Sequence, residues 1–297
     1  MSRVGVLGAG TMGIGVAQTL ATHGHEVVLV DVADDILRAA RQEIATDLRL
    51  MPLVRRDTSG PAPDEVLDRI RFTTDLTELR DAGFVVENVT ENWATKRDLY
   101  PEIDRICPTE CVFGVNTSAI PISRIASVTE RPARVVGVHF MNPVPLKPVV
   151  EVIRGAETSD ETIDRTRSLL TSMKKSCVVI RDSAGFVTNR ILMLTINEAI
   201  HLMAEQVANA PDIDRLCRGS FGHAMGPLET ADLIGLDTVM FSLQVLEDHL
   251  KDDRFRPSPL LASMVDAGLL GRKTGRGFYS YESSRLDRTV AEEGVPT

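Results

Sequence analysis

His139 and Glu151 are the residues whose types and spacing most directly suggest chemistry. They stand twelve apart in GVHFMNPVPLKPVVEV, Gly137–Val152, and Pro145 is their midpoint. A carboxylate beside an imidazole orients the ring, fixes its tautomer and raises its basicity. The pair therefore points to proton transfer. The plain alternative is a surface histidine and an unrelated glutamate at a strand end. Apolar residues before His139 (Val135, Val136, Val138) and after Lys147 (Val149, Val150, Val152) read as two short buried strands. If the chain folds back about Asn142–Pro148, the two side chains face each other.

Residues 3–31 carry the strongest signal of any stretch. Val4, Val6 and Leu7 form a short apolar strand, followed by GAGTMG, with glycines at Gly8, Gly10 and Gly13 and Thr11 and Met12 between them. Ile14, Val16, Ala17, Leu20 and Ala21 then recur at helical spacing, and EVVLV (Glu26–Val30) makes a second strand that ends in Asp31. Strand, glycine turn, helix, strand and acid make up a dinucleotide-binding unit. The glycines let backbone N–H groups approach a pyrophosphate at the helix N-terminus. Asp31 lies 18 residues beyond Gly13, where its carboxylate can accept from both ribose hydroxyls. It repels a 2′-phosphate, and Val32 and Ala33 supply no arginine to bind one, so NAD is expected over NADP.

The chain of 297 residues is long enough for about two domains and, at 43% hydrophobic and 25% charged, for a sizeable core. A net charge of −9 argues against nucleic acid as a partner. The first strand is reached by Arg3, no apolar run nears the ~18 residues of a membrane span, and no signal peptide is expected. Cys107 and Cys111 lack a second pair or nearby histidines, so no metal site is expected, and free thiols fit a cytoplasmic protein.

The elements that must position the pair follow in order. Residues 34–70 read as a helical hairpin insertion: an amphipathic helix from Asp35 to about Leu50, a turn over Arg55–Pro63 and a helix from Asp64 to Ile70. Arg49, Arg55 and Arg56 there could meet an anion or face solvent. Strands near Arg71–Thr73, Phe84–Val89 and Cys111–Val115 alternate with helices Leu76–Asp81 and Thr95–Ile106, as in a parallel sheet covered on both faces. Two strands end in polar clusters, ENVTEN (Glu87–Asn92) and NTSAIP (Asn116–Pro121). These are ligand-side candidates, against the alternative of simple helix caps. Lys96 opens a helix beside the first cluster, where a solvated surface lysine is the alternative. A helix over Asp160–Ser172 and a strand over Ser176–Ile180 complete this half. Beyond Asp182 only helices are expected: residues 185–206 with Asn189 and Arg190 in the first turn, one from Pro211, one running through LETADLIGLDTVMFSLQVLEDHL, and one over Pro259–Ala267. A last strand is expected at Phe278–Tyr281, and the charged tail from Ser283 is expected to fray. The fold class is therefore a Rossmann-type doubly wound α/β domain, residues 1–182, followed by an all-α domain, residues 183–297. Helices apolar on more than one face suggest a homodimer through the second domain.

Taken together, GAGTMGIGVA, VVENVTEN, NTSAIPI, HFMNPVPLKPVVEV, DSAGFVTNR, MGPLETADLIGLDT and GRKTGRGFY resemble the L-3-hydroxyacyl-CoA dehydrogenases, including bacterial 3-hydroxybutyryl-CoA dehydrogenases, in order and spacing over nearly the whole chain. The resemblance implies that His139 is the catalytic base and Glu151 its orienting carboxylate. It places the substrate-holding groups at Ser118 and Asn189, and further cofactor-side groups at Glu91, Lys96, Asn116 and Asn142. The implied reaction removes the proton of the substrate's 3-hydroxyl at His139 while C3 gives hydride to NAD. β-Hydroxyacid dehydrogenases with a catalytic lysine share the glycine turn but lack the HF-NPVP segment.

The departures from that pattern fall on the substrate side. Leu146, Lys147, Pro148 and Val149 replace the common small apolar residue, Met, Lys and Leu. The insertion hairpin has no lysine, and Trp93 is unusual. They resemble a branch that oxidises a glyceryl group on an acyl carrier protein toward polyketide extender units, so the expected partner is an acyl thioester on either coenzyme A or a carrier protein. A non-catalytic, crystallin-like NAD-binding protein is a third reading. Its signature would be loss of the dyad or of Ser118, and all three residues are present.

Overall fold

The computed structural model describes residues 3–55, 60–118 and 120–281. The chain divides into two compact units between Phe186 and Val187. The first contains β1 (Arg3–Leu7), α1 (Thr11–Thr22), β2 (Glu26–Val30), α2 (Asp34–Arg55), α3 (Pro63–Asp68), β3 (Ile70–Thr73), β4 (Phe84–Glu87), α4 (Trp93–Ile106), β5 (Val112–Val115), α5 (Ile122–Ala126), β6 (Val135–His139), β7 (Val149–Arg154), α6 (Asp160–Ser172) and β8 (Ser176–Arg181). The strands form one sheet in the order β3-β2-β1-β4-β5-β6-β7-β8. Every pairing is parallel except β6 with β7, which is antiparallel.

Side chains alternate between the two faces of the strands, and both faces are covered. On one face Val4, Val6, Leu29, Val86 and Val138 pack with residues of α1, α2, α3 and α6. On the other Leu7, Val28, Val85 and Phe113 pack with Tyr100 and Ile103 of α4 and Ile122 and Ile125 of α5. This arrangement explains why the strands read as nearly continuous β-branched runs.

Several boundaries differ from expectation. Helix α2 continues past Leu50 to Arg55, with Pro52 inside it. That proline stands in the last turn, where it removes one backbone bond near the helix end. Arg56 and the side chain of Arg55 lie outside the described residues, as does the tail from Ser283. Leu76–Asp81 is a 3₁₀ rather than an α-helix, started by Asp75 accepting from the N–H of Thr77. Strand β4 stops at Glu87, two residues short of expectation.

The second unit contains α7 (Thr188–Ala204), α8 (Ala210–Phe221), α9 (Pro227–Ile234), α10 (Leu236–Leu250) and α11 (Pro259–Asp266). The single helix expected from Leu228 to Leu250 is broken at Gly235, whose φ of 102° is open to glycine and ends the helical path. Phe278–Tyr281 is not a strand; only isolated bridges, Gly271 to Arg276 and Arg276 to Ser280, occur there. The buried carboxylate of Asp232 takes the N–H groups of Phe278 and Tyr279 at 3.0 and 2.9 Å, in place of a partner strand. Asp214, fully buried, accepts from the N–H groups of Leu228 and Glu229 and from the Tyr279 hydroxyl.

Candidate active site

The carboxyl ends of β1, β4, β5 and β6 converge on the site, as expected for ligands of an open α/β sheet. Gly8 follows β1, and Gly10 is the N-cap of α1, with no side chain capping it. Thr11, Met12 and Gly13 form the first turn. Gly13 is required by close approach, because a Cβ there would stand 1.8 Å from the Gly8 carbonyl oxygen. No atom would lie within 4 Å of a Cβ at Gly10, so the helix N-terminus is open on that side. Asp31 follows β2, and its two oxygens accept from the N–H of Ala9 at 2.6 Å and of Val32 at 2.7 Å. A cleft of about 490 Å³ is lined by Gly8, Gly10, Asp31, Ile36, Asn88 and Thr95 among others. Glycine turn, open helix N-terminus and ribose-side carboxylate on one cleft fit a dinucleotide without a 2′-phosphate.

The antiparallel register of β6 and β7 sets His139 directly opposite Glu151. Opposed residues share a face with Cβ atoms ~5 Å apart, which is within reach of a ring and a carboxylate. His139 Nδ1 lies 2.8 Å from Glu151 Oε2, and both residues are buried. The carboxylate has no proton to give, so Nδ1 carries the hydrogen and donates it. Nε2 is left with its lone pair. The Ser118 hydroxyl, exposed at the end of β5, lies 3.1 Å from Nε2 and donates to it. Phe186 packs edge-on against the imidazole, with ring centroids 5.4 Å apart.

Asn116 and Glu91 brace this line rather than join it. Asn116 Oδ1 accepts the N–H of Phe140, next to His139, and its amide donates to Asn88 Oδ1 at 2.9 Å. Glu91 accepts from the Thr117 hydroxyl and from the N–H groups of Ser118 and Ile120, which holds the Ser118 loop. Asn142 is exposed in the turn after β6. Asn189 lies in the first turn of α7, in the second unit.

Lys96 is not the solvated surface lysine that its type alone suggests. It is fully buried, and its Nζ contacts both oxygens of Glu87 at 2.6 and 2.7 Å. Glu87 also accepts from the Tyr100 hydroxyl and the N–H of Val89. Burial pushes the Glu87 carboxyl up from its ordinary value, against the opposing pull of Lys96. This network fixes the turn from β4 to α4, whose Asn88, Val89 and Thr95 line the cleft. Sequence reading covers Asn88 only as part of the ENVTEN cluster and misses Phe186. Asn88 sits in the ENVTEN cluster, so its position was the available signal, whereas nothing in sequence aims the Phe186 ring at His139.

Residues 3–183 match the family model described as 3-hydroxyacyl-CoA dehydrogenase, NAD binding domain, and residues 185–281 match 3-hydroxyacyl-CoA dehydrogenase, C-terminal domain. The chain is 46% identical over 279 residues to a probable 3-hydroxybutyryl-CoA dehydrogenase of Deinococcus radiodurans, covering 94% of this chain and 100% of that one. It is 43% identical to a probable 3-hydroxybutyryl-CoA dehydrogenase of Bacillus subtilis, covering 95% and 98%. The crystal structure of the (S)-3-hydroxybutyryl-CoA dehydrogenase of Ralstonia eutropha superposes with a TM-score of 0.90 at 39% identity, covering 95% of this chain and 99% of that one. The chain belongs to the 3-hydroxyacyl-CoA dehydrogenase family. It is an NAD-dependent oxidoreductase acting on 3-hydroxyacyl thioesters.

Proposed function

We propose that the enzyme oxidises the 3-hydroxyl of 3-hydroxybutyryl-CoA and similar short-chain thioesters, with His139 and Glu151 as its proton-transfer dyad. The hydrogen-bonded line Ser118–His139–Glu151 is the observation that carries this reading. NAD, when bound, accepts the hydride from C3 of the substrate. His139 Nε2 takes the hydroxyl proton, and Glu151 holds Nδ1–H and stabilises the resulting imidazolium. Ser118 turns its hydroxyl from Nε2 to the substrate oxygen, and Asn189 is the second residue assigned to substrate binding. In the reverse direction the imidazolium returns the proton to the developing alkoxide. Base action of this kind supplies ~10²–10⁴-fold, and positioning supplies more. His139→Gln is expected to bind NAD normally, by fluorescence titration, and to lose turnover; wild-type turnover in that variant would overturn the assignment.

A carrier-protein substrate is the second reading. It is favoured by Leu146, Lys147 and Pro148, which depart from the family pattern and are all exposed in the turn between β6 and β7. NADH formation with 3-hydroxybutyryl-CoA set against a glyceryl-carrier protein separates the two. Fast turnover of the coenzyme A ester and none of the protein-bound one removes this reading.

The NAD-binding domain is taken to end at Asp182, with residues 183–297 as the substrate and dimerisation domain. Exposed Ile191, Leu216, Phe221 and Phe241 support that second role. Among the described residues no helix is long and apolar enough to cross a membrane, and the free cysteines are in keeping with the cytoplasm.

A further inference from the structure

The turn from His139 back to Glu151 is held from outside by one buried ammonium. Lys175 lies between α6 and β8 and is 6% exposed. Its Nζ donates to the carbonyl oxygens of Val144 at 2.6 Å and Lys147 at 2.7 Å. Those two residues bracket the tightest part of the turn, where the N–H groups of Leu146 and Lys147 both reach back to the Pro143 carbonyl at 3.0 and 3.2 Å. A buried charge is costly unless well hydrogen-bonded, and bonds to an ammonium are among the stronger kind. Removing the ammonium therefore leaves two carbonyls short of a donor and the turn without its brace.

The backbone aims this side chain. Helix α6 ends with the N–H of Lys174 on the Thr171 carbonyl and the N–H of Lys175 on the Leu170 carbonyl, both at 2.9 Å. Lys174 takes φ 55° at the reversal, a place glycine usually fills. A lysine in that conformation is uncommon and persists where its surroundings over-determine it. The following residue, Ser176, donates its N–H to the Pro148 carbonyl at 2.9 Å, at the turn's exit. On the opposite flank α1 backs directly onto the turn, since a Cβ at Gly15 would stand 2.9 Å from Val144 Cβ.

The register makes this brace matter. His139 and Glu151 are the last pair of the β6–β7 ladder, and the loop beyond them, Phe140–Pro148, is too long to be a tight hairpin. Fraying of the ladder from its loop end would reach the dyad first. We propose that Lys175 is a positioning residue for the reaction: its ammonium fixes the Val144–Lys147 turn and thereby the approach of His139 to Glu151. The proposal rests on the dyad reading.

The test compares wild type, His139→Gln, Lys175→Met and Lys175→Ala, with 3-hydroxybutyryl-CoA and NAD. Lys175→Met keeps the buried stem and removes the donors. Its kcat is expected to fall roughly 10–100-fold while the Kd for NAD stays within about twofold. In Lys175→Ala, methylammonium or ethylammonium is expected to restore part of kcat saturably, and tetramethylammonium, which has no N–H, to restore none at equal ionic strength. Wild-type kcat in Lys175→Met overturns the proposal. So does activity loss in Lys175→Ala that tracks loss of folded protein by circular dichroism and no small amine rescues. A dead His139→Gln beside an active Lys175→Met removes only the positioning role. An active His139→Gln removes the dyad reading and this proposal with it.

Discussion

Glu151 and Ser118 hold opposite nitrogens of one imidazole, and the two contacts do different work. The Glu151 contact fixes which nitrogen carries the hydrogen; the Ser118 contact occupies the free lone pair, which in the proposed mechanism a substrate hydroxyl takes over. Glu151→Gln leaves the shape but removes the charge that, in the proposed dyad, stabilises the imidazolium. It should lower kcat by ~10²–10⁴-fold with little change in NAD affinity, which steady-state kinetics and a binding titration would separate. In the proposed site Asp31 selects the cofactor by charge, from the lining of the cleft. With its carboxylate engaged by two backbone N–H groups, Asp31→Asn keeps most of the geometry and loses the repulsion. The kcat/KM ratio of NAD to NADP should fall by about tenfold or more, by a difference of ~1.4 kcal/mol. An unchanged ratio would mean that cofactor choice lies elsewhere.

The turn between β4 and α4 depends on a buried ion pair. Removing one partner of such a pair strands the other, so Lys96→Met should destabilise the enzyme by ~3–5 kcal/mol and weaken NAD binding through Asn88 and Thr95. The double variant Glu87→Gln/Lys96→Met should recover most of that stability in urea unfolding. The pH dependence has a defined sign. Burial raises the Glu87 carboxyl above its reference value of 4.5, so the folded chain holds that proton more tightly than the unfolded chain does. The group's contribution is present at acid pH and is lost as pH rises through the folded value. The stability of the double variant relative to wild type should therefore increase from acid toward neutral pH, and a difference that shrank over that range would contradict the assignment.

The helical unit is tied to its own C-terminal segment by two buried carboxylates, Asp214 and Asp232. Asp214→Ala removes the acceptor of two N–H groups at the start of α9 and of the Tyr279 hydroxyl. It should cost at least ~2 kcal/mol and lower the melting of residues 187–281 more than that of the sheet unit. Hydrogen exchange resolved by segment would show this, and uniform loss across both units would argue against separate compact units.

Much of this enzyme was legible in sequence because its signals are local. The glycine turn, the acid after the second strand, and the period-two apolar runs depend on residues within a few positions of one another, so they indicated an α/β sheet, an NAD cleft and an alternation of strand and helix. The spacing of His139 and Glu151 was legible too, and their contact was expected only on condition that the chain folds back between them. Whether they meet depends on the antiparallel register of β6 and β7, and a slip by one residue would turn one of the two to the opposite face. Lys96 and Lys175 show the same limit. Lys96 was expected on the cofactor side and Lys175 carried no expectation, because nothing in a sequence says that Glu87 or the Val144 and Lys147 carbonyls lie within reach. Their burial, the break at Gly235 and the carboxylate of Asp232 standing in for a strand are decided by groups distant in the chain. The sequence by itself determined the chemistry available here; packing across the sheet decided which groups touch, because burial and hydrogen bonding act between neighbours in space.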